Sequence, residues 1–116
     1  MKKIATKKID DGTTLNRFQV ESQDGIFNKL WIDVYTTVWN HEKNYYIFFD
    51  KGEKDTDYKK GETYLEWKSG VSHSLISWYR KNHKDYKKSD EEIAALYAAG
   101  DYQYYQETGD KSIFRM

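Results

Sequence analysis

The 116-residue chain contains no cysteine and no proline. The first absence excludes a disulfide framework, a thiol nucleophile and any thiolate-bound metal. The second means that no strand is denied a ladder donor by a ring nitrogen. No apolar run approaches the roughly 18 residues that a membrane-spanning helix needs. Net charge is also missing, because 19 Lys and Arg balance 19 Asp and Glu. That balance argues against a polyanion binder held by bulk charge. The chain has no P-loop, no G-x-G-x-x-G and no G-x-S-x-G elbow, so nucleotide-triphosphate, dinucleotide and serine-hydrolase readings find no support. The basic start, Met1 to Lys8, lacks the apolar segment of a signal peptide, and a soluble, cytoplasmic protein without a membrane role is expected. The length suffices for one hydrophobic core and is short for two ordinary domains. A single domain over 1–116 is therefore expected, with 1–12 either a flexible tail or an edge strand.

What the chain has in excess is rings. Eleven Tyr, four Trp and five Phe make 17% of the residues. A mean hydropathy of −1.01 with 33% charged residues is the profile of a disordered segment. Disordered segments, however, are poor in aromatics. Here amphipathic rings supply most of the core material, burying large areas while keeping a polar tip. Twenty rings also exceed what one small core needs, and Tyr and Trp are enriched at the centres of protein interfaces.

Period-2 alternation marks the strands. Phe18 and Val20 alternate with Arg17, Gln19 and Glu21, and Gln23-Asp24-Gly25 reads as a hairpin turn. The strongest pattern runs from Phe27 to Trp39. Leu30, Ile32, Val34, Thr36 and Val38 form an aliphatic face directed at the core. Trp31, Asp33, Tyr35, Thr37 and Trp39 form an aromatic face with one carboxylate, half exposed or covered by something else. Residues 40–44 read as a five-residue polar loop, and Tyr45 to Phe49 as a central strand. A charged loop over 51–61 precedes a further strand, 62–68. The core expected from these faces is Leu30, Ile32, Val34, Val38, Ile47, Phe49, Leu65, Leu75 and Leu96.

After Gly70 the period changes. Val71, Leu75, Trp78 and Tyr79 fall on one helical face, capped by Ser69 or Ser72. Ser89-Asp90-Glu91-Glu92 is a capping box that opens a second, short helix with Ile93, Leu96 and Tyr97 as its stripe. Gly100 is placed to end it. Tyr102 to Glu107 reads as a strand turning into Ser112 to Phe114. The fold class is α+β: an antiparallel sheet of four to six strands with two helices packed on one side.

Isolated His41, His73 and His83 lack metal-ligand spacing, so neither a metal site nor a cofactor is expected. Asp33, the one acid in an aromatic strand, is the candidate centre of a small-ligand cup or enzyme, because apolar surroundings disfavour its charge. The plain alternative is an outward-facing strand carboxylate that accepts a Tyr hydroxyl or pairs with a cross-strand Lys. Charge is segregated despite the zero sum. In 71–88, Arg80, Lys81, Lys84, Lys87 and Lys88 are opposed only by Asp85. In 89–110, Asp90, Glu91, Glu92, Asp101, Glu107 and Asp110 occur with no Lys or Arg. The basic stretch is interleaved with rings, a pattern suited to single-stranded nucleic acid. The acidic stretch leads into Tyr102, Tyr104 and Tyr105, rigid rings beside adaptable amides, as in a paratope.

The favoured reading is a small non-enzymatic binding protein that docks on a protein partner through Tyr102, Tyr104 and Tyr105, with Asp101 and Glu107 at the rim; the competing account of these tyrosines is that they close the core beneath the helices. An inhibitor or accessory protein of a phage or other mobile element fits this profile. The alternatives are a nucleic-acid-binding protein using Arg80, Lys81, Lys84, Lys87 and Lys88, and the ligand cup or enzyme centred on Asp33.

Overall fold

The computed structural model describes residues 1–19, 30–51, 64–68 and 70–115. The turn expected at 23–25, the charged loop at 51–61 and the outer ends of the strands beside them lie outside or at the margin of these residues. Among the described residues six strands form one sheet in strictly sequential order: β1 (Lys2–Asp10), β2 (Thr13–Gln19), β3 (Leu30–Trp39), β4 (Glu42–Lys51), β5 (Tyr64–Trp67) and β6 (Phe114–Arg115). Every neighbouring pair is antiparallel. Helices α1 (His73–His83) and α2 (Asp90–Thr108) lie between β5 and β6 in the chain. The α+β architecture read from the pattern is the architecture observed, and residues 2–10 are its edge strand.

One sheet face carries the main core. Phe18, Ile32, Val34, Ile47 and Phe49 pack with Ile76 of α1 and with Ile93, Ala94, Ala95, Ala98 and Tyr102 of α2. Three alanines on the buried side of α2 let its backbone approach the sheet closely. Polar groups at the margin fix its position. Thr36 donates to Glu91 (3.3 Å), the Tyr45 hydroxyl to Asp90 (3.2 Å) and the Trp67 indole to Asp101 (2.8 Å).

The other face is buried too over part of its area. Leu15, Arg17, Trp31 and Asp33 are all buried, yet lie outside the main cluster. Arg17 stands directly across from Asp33 in the β2–β3 register. Its Nε and Nη2 donate to the two carboxylate oxygens at 2.7 and 2.9 Å, and its guanidinium lies 4.2 Å from the Trp31 ring centroid.

Four local expectations need correction. First, the five-residue loop at 40–44 is a two-residue turn. Asn40 and His41 both have positive φ, 50° and 65°, the signature of a type I′ connection, and β4 begins at Glu42. Second, Val71 belongs to no helix; it bridges Tyr45 at the sheet margin. The helix starts after Ser72, whose side chain accepts from the Leu75 N–H. The buried face of α1 is therefore phased on Ile76 and Tyr79, while Leu75 and Trp78 are exposed. Third, Val38 is exposed and Leu96 only half-buried, so neither belongs to the fully buried core. Fourth, the strand expected over 102–107 does not form. Helix α2 runs through Gly100 for 19 residues and stops at Gly109, whose φ is 73°.

Candidate functional site

The α2 extension redistributes the tyrosines proposed for docking. Residues on a helix recur on one side every three or four positions, so Tyr102 and Tyr105 fall on the sheet side together. Tyr102 is only 6% exposed and packs on Phe49, ring centroids 5.0 Å apart. Burial raises its hydroxyl pKa above the ordinary tyrosine value. Tyr105 meets Phe114 edge-on at 4.9 Å. Asp101 is held by Trp67. Only Tyr104 and Glu107 of the five remain on the outer surface. The helix pairs Tyr102 with Tyr105 toward the sheet and leaves Tyr104 outside, where a strand would have paired Tyr102 with Tyr104.

Asp33 is equally committed. It is fully buried, and both carboxylate oxygens are engaged by Arg17. The plain alternative to a ligand cup also needs correction: the carboxylate does not face outward, and the cross-strand residue that pairs with it is Arg17 rather than a lysine.

Exposed rings gather elsewhere, in two places. The first is the free end of the β3–β4 hairpin. Trp39 is 71% exposed, Val38 55% and Tyr46 51%. By register Trp39, Tyr35 and Tyr46 share one sheet face, with Tyr35 and Tyr46 directly paired. Tyr35 also meets Phe48 edge-on at 5.3 Å, which anchors the base of the patch. The hairpin's charges, Glu42 and Lys43, cancel. Behind the hairpin end lies a polar cleft of about 520 Å³, lined by His41, Glu42, Lys43, Asn44, Ser72, His73, Ser74 and Asp90. The carboxyl of Asp90, one of these lining residues, is pushed up by burial, but the Arg80 ion pair and the Tyr45 hydroxyl outweigh this and hold it below the ordinary carboxylate range. Among the described residues no group of three or more His, Cys, Asp or Glu is gathered for a metal ion.

The second place is the end of α1 and the turn after it. Trp78 is 54% exposed and Tyr86 74%. Of the basic residues proposed for nucleic acid, Arg80 pairs with Asp90 and Lys88 with Asp85. Lys81, Lys84 and Lys87 are exposed on the same stretch. Trp78 shares the expected helical stripe with Val71 and Leu75, and it is exposed because Val71 lies outside the helix and cannot set its phase. No sequence signal separated Leu75 from Ile76 once that phase was accepted.

No protein-family model matches the chain, and no curated protein or solved structure matches it either.

Proposed function

We propose that this is a non-enzymatic binding protein that docks on a protein partner through the end of the β3–β4 hairpin. The observation that carries this reading is the joint exposure of Trp39 and Tyr46 on one face of the β3–β4 hairpin, next to its two-residue turn, with Val38 exposed on the other face. Solvated Trp and Tyr side chains on a fixed backbone lose little entropy on binding and make strong anchors. The near-neutral charge of the hairpin end favours a protein surface over a phosphate backbone, which would require unpaired cations. Tyr104 and Glu107 on the outer side of α2 are a separate, smaller surface in this reading.

The test begins with affinity capture from the native host, followed by purification of the captured protein and titration against variants. Trp39→Ala and Tyr46→Ala are expected to weaken binding at least about 30-fold with Tm unchanged, as central anchors do. Tyr104→Ala is expected to bind normally. Undiminished binding by both hairpin variants overturns the proposal. So does a homodimer dissolved by Trp39→Ala, which would make the occupant a second copy.

A further inference from the structure

We infer that the end of α1 and its following turn, residues 78–88, form a second binding surface, one that takes single-stranded nucleic acid. This goes beyond the hairpin reading and uses different residues. The argument begins with which charges are already satisfied. Arg80 is tied to Asp90 and also donates to the Lys88 carbonyl at 2.9 Å. Asp85, the one acid of the segment, is occupied by the Lys88 ammonium and by the backbone N–H groups of Lys87 and Lys88, at 3.2 and 3.4 Å. The Lys88 hydrogen bond and these backbone donors hold the Asp85 carboxyl below its ordinary range. Lys81, Lys84 and Lys87 make no ion pair among the described residues. The negative end of the α1 dipole, about half a charge, offsets only a fraction of three ammonium groups.

The same bonds give the surface a fixed shape. Asp85 closes the turn, and Lys84 takes the left-handed cap conformation with φ 50°. Tyr86, between Lys84 and Lys87 in the chain, is 74% exposed. Within the helix, Trp78, Lys81 and Asn82 lie on one face, and the Asn82 amide donates to the Trp78 carbonyl at 2.8 Å. The His83 ring stacks on Tyr79 at 4.1 Å and meets Trp78 edge-on at 6.3 Å, bracing the tryptophan without covering it. Two solvated rings beside three uncommitted cations combine the elements that hold a single strand: phosphates on lysine, bases stacked on ring faces. A duplex offers its phosphates but hides its base faces, so the rings select the single strand.

The test is titration of a fluorescein-labelled 12-nucleotide oligothymidine at about 50 mM salt, followed by anisotropy. Neutralising up to three phosphates gives a log–log salt slope near −2, so binding weakens about 20-fold between 50 and 200 mM salt. Lys81→Glu/Lys84→Glu/Lys87→Glu is expected to abolish binding. Trp78→Ala/Tyr86→Ala should weaken it at least about 10-fold while the salt slope is kept. Circular dichroism checks the fold of each, and Lys81→Gln/Lys87→Gln is the milder replacement for the charge variant. Trp39→Ala is expected to bind the oligonucleotide normally, so this surface and the hairpin fail separately. No binding at 50 mM salt overturns the inference, as does equal or tighter binding of a duplex, or indifference to the loss of both rings.

Discussion

Arg17 and Asp33 bury opposite charges beneath Trp31 in a face that also contributes to the fold. Such a pair is worth little net stability as a pair, because desolvation offsets its attraction; removing one partner is another matter. Asp33→Ala leaves the Arg17 guanidinium buried without its main counterion and is expected to cost about 3–5 kcal/mol. Asp33→Leu with Arg17→Met, measured by urea denaturation, should recover most of that loss; a double variant no more stable than Asp33→Ala contradicts this account. On the opposite face Val34 is fully buried against the helices. Val34→Asp places an uncompensated carboxylate there, costing several kcal/mol against a typical total of about 5–15, and is expected to abolish the cooperative thermal transition. An unchanged Tm would contradict the assigned face.

At the scale of elements, α2 shows how tertiary contacts override a local stop signal. Gly in a helix interior costs about 1 kcal/mol relative to Ala, and Gly100 was the expected end because glycine suits a left-handed cap. Continuing the helix lets Tyr102 and Tyr105 reach Phe49 and Phe114, and burying such rings is worth more than the glycine penalty. Nothing lies within 4 Å of the position a Cβ at Gly100 would take. Gly100→Ala is therefore expected to stabilise the protein by about 0.5–1 kcal/mol, seen as a higher urea midpoint at unchanged slope. The other end of the helix behaves as its sequence indicates. Ser89 accepts from the Glu92 N–H at 3.2 Å, and Ser89→Ala should cost about 1 kcal/mol, a Tm decrease of several degrees.

For the whole molecule, titrating groups define a pH window. Asp90 and Asp110 have pKa values lowered from 3.8, Asp90 because Arg80 and Tyr45 outweigh the upward push of burial, Asp110 through the Ser112 backbone N–H. A lowered carboxylate stabilises the folded state above the unfolded value, so stability should decline as pH falls below about 4. Tyr45, Tyr97 and Tyr102 are raised above 10.0, by desolvation first and for Tyr45 also by Asp90. A raised group stabilises fully below its unfolded value, so stability should decline as pH climbs past about 10. Thermal scans from pH 2 to 12 should show a plateau between these limits, and Tyr45→Phe should soften the alkaline decline. An alkaline limb identical in that variant would remove Tyr45 as its source.

By itself the sequence determined whatever depends on neighbours in the chain. Alternation in 30–39 marked a strand, Ser89 marked one helix start and Ser69 or Ser72 the other, and the change from period 2 to period 3.6 after Gly70 set the order of sheet and helices. Tertiary structure decided which exposed ring was free and which was buried. Leu75 and Ile76 are adjacent and equally apolar, so only docking against the sheet chose Ile76; Val71, taken up by Tyr45, could not set the phase. Trp31 and Trp39 sit on the same face of one strand, eight positions apart. One is buried beside Arg17, and the other stands on the hairpin end beyond the packed part of the sheet. Strand periodicity assigns a face and carries no information about how far along the strand that face stays covered, because cover comes from segments distant in the chain. For the same reason the tyrosines of 102–105 could not be sorted into core and surface until the helix that carries them was seated on Phe49 and Phe114.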